Sequence, residues 1–174
     1  MKTRKTDSAP RTANAYVPIN QVANYFLQRT DVSAGDVLTH LKLQKLCYFA
    51  QVCNLVNGRG ALFEDRFQAW SHGPVALKLW QRFRKFTWKA IDAGDCGSLA
   101  TSALSDDDKT ILDAVWSRLG HWMARDLEYW THQHAPWKHA RGKARLGEHC
   151  TAEISLAALK KFYCTDEFRK KFAI

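Results

Sequence analysis

The run at residues 41–51, LKLQKLCYFAQ, is long enough to be helical and has no clean polar face. At roughly 100° per residue, Leu41, Leu43, Leu46, Cys47, Tyr48, Phe49 and Ala50, continued by Val52, Cys53, Leu55 and Val56, surround the helix axis. A helix apolar all round belongs in the middle of a domain, so the other segments must pack around this one. Its polar exceptions are equally informative. Gln44 and Gln51 are seven residues apart and share a stripe, with Tyr48 between them and Lys45 beside them. Polar groups on a central helix need partners, either within the fold or on another molecule.

The rest of the chain supplies material for that packing. With 174 residues, 46% of them hydrophobic, a sizeable core is available. No apolar stretch approaches the ~20 residues of a membrane span, and the N-terminus has no apolar signal segment. A cytoplasmic protein is the expectation, and five cysteines without a close C-x-x-C pair fit reduced thiols. A formal net charge of +9 calls for an anionic partner: nucleic acid, an acidic protein surface or a phosphate-bearing ligand.

Residues 1–16 read as a basic flexible arm and 17–174 as a mainly α domain of about seven helices around the central one. Ile19, Val22, Ala23, Phe26 and Leu27 repeat at helical spacing. Thr39 is a suitable N-cap for the central helix, which Asn57 and Gly58 stop. Residues 60–74 read as a loop with one short strand or hairpin. Pro74 is then expected to start a helix with Val75, Leu79, Phe83 and Phe86 inward and a basic stripe of Lys78, Arg82, Lys85 and Lys89 outward. Ser105 and Asp108 form a capping box, Gly120 ends that helix, and Pro136 interrupts the next after His132. Ile154, Ser155 and Leu159 form a hydrophobic staple that opens a helix through Tyr163.

Chemistry-bearing patterns are sparse. His121, His132, His134, His139 and His149 crowd one region beside Cys150, but His132 and His134 sit about 200° apart if helical and converge only where the helix has ended. No nucleophile elbow or phosphate-binding glycine loop is present, and Asp106 to Asp108 fit a helix start. Neither a catalytic residue nor a cofactor is expected. Of the seven tryptophans, Trp116 and Trp130 are in phase with apolar faces, whereas Trp70, Trp80, Trp88 and Trp137 border loops or polar faces where a partner can reach them.

Three segments taken in order, THLKLQKLCYFAQ at 39–51, FQAWSHGPV at 67–75 and LEYWTHQHAPWKHAR at 127–141, together resemble the Panacea domain of SocA-like antitoxins, found in bacterial and phage toxin-antitoxin loci. The resemblance extends over about residues 19–163. His40 stands where that family usually has Asn, Cys47 where it has Leu, and His134 where it has an acidic residue. It implies a mainly helical, non-enzymatic antitoxin that neutralises a cognate protein toxin by direct contact and in some members delivers it to a protease. Autorepression by this chain alone is not expected, since its only addition is the basic arm.

The expected partner contacts are Lys45, Trp70, His72, Lys78, Trp80, Arg82, Lys85 and Trp137. Gln44, Tyr48, Gln51, Gly73, Pro74, Thr131, His132 and Pro136 form the supporting motif network. Two other classes stay open: a nucleic-acid-binding or regulatory module using the basic stripe, and a metal-dependent hydrolase built on the histidines.

Overall fold

The computed structural model describes residues 16–172, so most of the expected arm lies outside the described residues. The central helix is α2, His40–Val56, and sixteen of its seventeen residues are buried. Thr39 caps its start through Oγ1, which accepts from the Lys42 N–H at 3.3 Å, and Gly58 at φ 75° turns the chain away after Asn57.

Around α2 pack α1 (Ile19–Arg29), α3 (Leu77–Phe83), α4 (Asp106–Leu119), α5 (Ala124–Gln133), α7 (Leu156–Tyr163) and α8 (Asp166–Phe172). The remaining helix, α6 (Ala135–Arg141), braces a small sheet instead. Amphipathic spacing explains the surrounding helices: α1 buries Ile19, Val22, Ala23, Phe26 and Leu27, and α4 buries Ile111, Leu112, Val115 and Leu119. The capping box forms at the start of α4, where Asp108 accepts from the Ser105 N–H and Ser105 Oγ accepts from the Asp108 N–H.

The sheet has the order β2-β1-β3, with β1 Phe67–Trp70, β2 Gly73–Ala76 and β3 Glu153–Ile154, all antiparallel. The hairpin expectation is met, but the helix expected from Pro74 begins three residues later. Gly73 to Ala76 pair with Trp70 to Phe67, and the Ala76 N–H is taken by a side chain of α2, which holds the segment extended. Pro74 fits an edge strand because its missing N–H removes nothing from the ladder on the open side. The helix also ends early: α3 stops at Phe83 and a 3₁₀ turn covers Arg84–Phe86, so the basic stripe is divided among α3, this turn and the segment beyond it that carries Lys89.

Candidate functional site

The three segments meet at the β1–β2 hairpin. From one side α2 holds it by side chains that imitate a neighbouring strand. Gln44 Oε1 accepts from the Ala76 N–H at 2.8 Å, and Gln44 Nε2 donates to the Ala76 carbonyl at 3.2 Å. That orientation leaves Gln44 Nε2 donating to His40 Nε2 at 3.1 Å, so His40 carries its proton on Nδ1. Burial, with the nearby Lys45 charge adding to it, lowers the His40 pKa to about 4 and keeps the ring neutral. Lys45 Nζ donates to the Pro74 carbonyl at 3.1 Å. One helical stripe therefore satisfies the open edge of β2, where unpaired backbone invites other strands.

Seven residues on, Gln51 repeats the device. Its Oε1 accepts from the Leu62 and Phe63 N–H groups at 2.7 and 3.3 Å, and its amide donates to the Phe63 carbonyl. Between the two glutamines Tyr48 packs edge-on against Phe49 and Phe67, and its hydroxyl lies 3.2 Å from that of Tyr163. Both glutamines thus belong to the fold.

From the other side α5 and α6 hold the same hairpin. Trp137 Nε1 donates to the Trp70 carbonyl at 3.0 Å, and Arg141 Nη1 donates to the Ala69 carbonyl at 2.9 Å. Pro136 sits buried in the first turn of α6, and His132 stacks flat on Trp137 with ring centroids 4.0 Å apart. Thr131 Oγ1 donates to the Glu128 carbonyl and crowds the hairpin turn at Gly73, where a Cβ would lie 2.8 Å from that oxygen and 2.9 Å from Lys45 Cε. Gly73 also has φ 89°, so both its backbone and its lack of a side chain are required there.

Two of the expected partner contacts are inside the protein. Lys45 has no exposed surface, because its helix is buried on every side and its ammonium stem lies under the hairpin. Burial lowers its pKa to about 7, partly offset by the field of Glu128. Trp137 is 5% exposed, because its indole N–H is needed by the hairpin. Both act on the hairpin from beneath rather than on a partner.

The basic stripe is also largely engaged. Arg82 is half-buried and donates to the Asn20 and Cys96 carbonyls at 3.3 and 3.5 Å, while Lys85 donates to the Asp95 carbonyl at 2.9 Å. Lys78 lies 3.9 Å from Asp65. Arg82 ties α1 and the 92–97 connection to α3, and Lys85 ties that connection to the 3₁₀ turn, which leaves less of the stripe for a phosphate backbone. Trp116 and Trp130, expected in the core, are half-buried against it.

What remains open to solvent lies on the outer side of the hairpin. His72, at the turn, is held by Glu128 Oε1 at 2.8 Å from Nδ1 while its side chain stays 75% exposed. Trp70 and Trp80 pack together with centroids 5.5 Å apart. With His40, Val75 and Trp88 they line a groove of about 380 Å³. Sequence reasoning missed Glu128 and Arg141, which touch the hairpin, and Arg84, whose guanidinium lies 5.2 Å over the Trp80 ring. The spacing of Glu128 and His132, four apart on α5, was the available signal.

The histidines do not gather. His134 ends α5 in extended backbone, as a convergence with His132 requires, yet the two rings diverge: His132 goes to Trp137, and His134 Nδ1 lies 2.7 Å from the Tyr163 hydroxyl in an aromatic cage with Phe162 and Phe168. Among the described residues no three His, Cys, Asp or Glu side chains are placed to hold a metal ion, and no helix is long and apolar enough to cross a membrane.

The model of the SocA-like antitoxin family, Panacea domain, matches residues 43–138, which run from α2 through the hairpin into α6. The chain belongs to this family. No curated protein and no solved structure gave a match. The matched span holds Gln44, Lys45 and Trp137, which clasp the hairpin from its two sides, while Arg141 lies just beyond it.

Proposed function

We propose that this Panacea-domain protein is an antitoxin that neutralises a cognate protein toxin by binding it directly, in the cytoplasm and without turnover. The observation that supports this reading most is the division of labour around the hairpin. The motif groups Gln44, Lys45, Gln51 and Trp137 face inward onto backbone atoms, while Trp70, His72 and Trp80 remain accessible on the other side. A rigid support with an aromatic outer face suits occlusion of a partner, because pre-ordered aromatic side chains lose little freedom on binding.

Co-expression with the product of each adjacent open reading frame tests the reading. The expected result is relief of a growth arrest that one of those products causes, together with co-purification of the two chains. If no neighbouring product is toxic, or the toxic one neither co-purifies nor is relieved, the reading fails.

A further inference from the structure

The groove beside the hairpin has features that its role as a packing surface does not account for. Trp88 is 82% exposed, the largest exposure of any bulky apolar residue described. It is placed there by Thr87, which adopts φ 53° and ψ −112° and is the sole described non-glycine residue with positive φ. A β-branched residue in that region is strained, and strain of this kind persists where the surroundings impose it and gathers at binding sites. The turn thus holds a tryptophan out in water at the lip of a groove that already contains Trp70 and Trp80. Covering such a surface is favourable, and a buried aromatic anchor is the usual centre of an interface.

Charge identifies what covers it. No carboxylate lines the groove. Arg84 lies over the Trp80 ring, and the exposed Lys89 follows Trp88 directly in the chain. The neighbouring acids are already paired, Asp65 with Lys78 and Glu128 with His72 at the hairpin end of the groove, away from Arg84 and Lys89 in the chain. An apolar ligand alone leaves Arg84 partly desolvated with no counter-charge. A second copy of this chain, docked symmetrically, sets one basic rim against another. An acidic segment satisfies both the ring faces and the cations.

We propose that this groove seats an acidic segment of the partner toxin, one of whose apolar side chains packs among Trp70, Trp80 and Trp88 while its carboxylates meet Arg84 and Lys89. This rests on the antitoxin reading for the identity of the partner, but the groove's preference for acidic, apolar-bearing chain is testable without it. Arg84 and Trp88 make none of the hairpin's hydrogen bonds, so variants at these positions keep the scaffold.

The test titrates the full-length protein, followed by its tryptophan emission, with a panel of short tryptophan-free peptides that carry one Leu, Ile or Phe among Asp and Glu. Matched peptides with Lys in place of the acids, and an oligo-dT strand, are the controls. Saturable binding of an acidic peptide, weakened at least about tenfold in Trp88→Ala and in Arg84→Glu with melting temperature unchanged, is the expected result. Binding of no acidic peptide, equal binding of the basic set, or tighter binding of oligo-dT overturns the proposal. A parallel pull-down uses the toxic neighbour. If the wild type captures it and Trp88→Ala with Arg84→Glu captures it equally well, the groove proposal falls and the antitoxin reading stands; if the wild type captures none, the antitoxin reading falls and the peptide titration alone decides the groove.

Discussion

A lysine with no exposed surface has to be explained by what it holds, and Lys45 holds the Pro74 carbonyl of the β2 edge. Its pKa, lowered to about 7, lies far below the ordinary lysine value of 10.5. Between those two pH values the unfolded chain keeps a proton that the folded chain has shed, so stability rises with pH, by about 1 kcal/mol per unit. That stability is lost as pH falls through about 7, where both states hold the proton. In Lys45→Met the contribution is absent, and His40 and His132, whose pKa values the Lys45 charge helps to lower, titrate mainly below the pH range compared. The stability advantage of wild type over Lys45→Met, read from chemical denaturation, should therefore be larger at pH 9 than at pH 7. An advantage that does not change with pH contradicts the burial of a charged group at this position.

Gly73 belongs to the same residue-scale account. A methyl group there meets Thr131 Oγ1 and Lys45 Cε at under 3 Å, on a backbone with positive φ. Gly73→Ala should lower stability by roughly 2–4 kcal/mol, the combined size of left-handed strain and overpacking. Thermal or urea denaturation checks this, and a loss within experimental error contradicts the close approach.

At the scale of elements, the hairpin is held by side chains rather than by further strands. β3 contributes only two residues of pairing to β1, and the open edge of β2 is closed by Gln44 and Lys45. Gln44→Leu keeps the volume but leaves the Ala76 N–H and carbonyl buried without those partners, at a cost of roughly 2–4 kcal/mol. Gln44→Glu is informative beside it. The carboxylate still accepts from the Ala76 N–H but cannot donate to the carbonyl, so it should fall between wild type and Gln44→Leu in a denaturant titration at neutral pH. If Gln44→Leu is as stable as wild type, the strand-like role of the glutamine is wrong.

The helices were legible because their signals are local. The all-round apolar run of α2, the Thr39 cap and the Ser105–Asp108 box each act within a few residues, and each appears where the spacing placed it. The strand Gly73–Ala76 was misread as a helix start because Pro74 fits either structure, and the deciding partner, Gln44, lies thirty-two residues away. The same limit governs the site. Lys45 and Trp137 look like surface residues in a linear reading, since their burial depends on the hairpin that tertiary contacts place over them. Gln44 and Gln51 were recognisable as an inner network because a polar pair on a buried stripe must find partners, whichever those are. Glu128 gave only the weaker signal of its four-residue spacing from His132, and the partner it takes in the fold, His72, lies fifty-six residues away in the chain.

At the scale of the whole molecule, the net charge of +9 and the basic stripe together suggested a nucleic-acid partner as the alternative. In the fold, Arg82 and Lys85 hold carbonyl groups of neighbouring segments, and Lys78 faces Asp65. Charge reversal at Lys78 and Lys85 should therefore leave any residual DNA affinity nearly unchanged in a salt titration, whereas a stripe that tracks phosphates loses affinity and salt slope together. What the molecule offers instead is a braced hairpin with one aromatic side left open. On the antitoxin reading proposed above, that side is the contact surface for a toxin.

The central claim is neutralisation by stoichiometric contact rather than by chemistry on the toxin. It is tested most directly by adding the purified protein in increments to the toxic product of the neighbouring gene and measuring the activity that remains. A linear fall to an end point at a fixed molar ratio, independent of incubation time, is the expected result. Complete loss of toxin activity at a small fraction of an equivalent, growing with time, contradicts it.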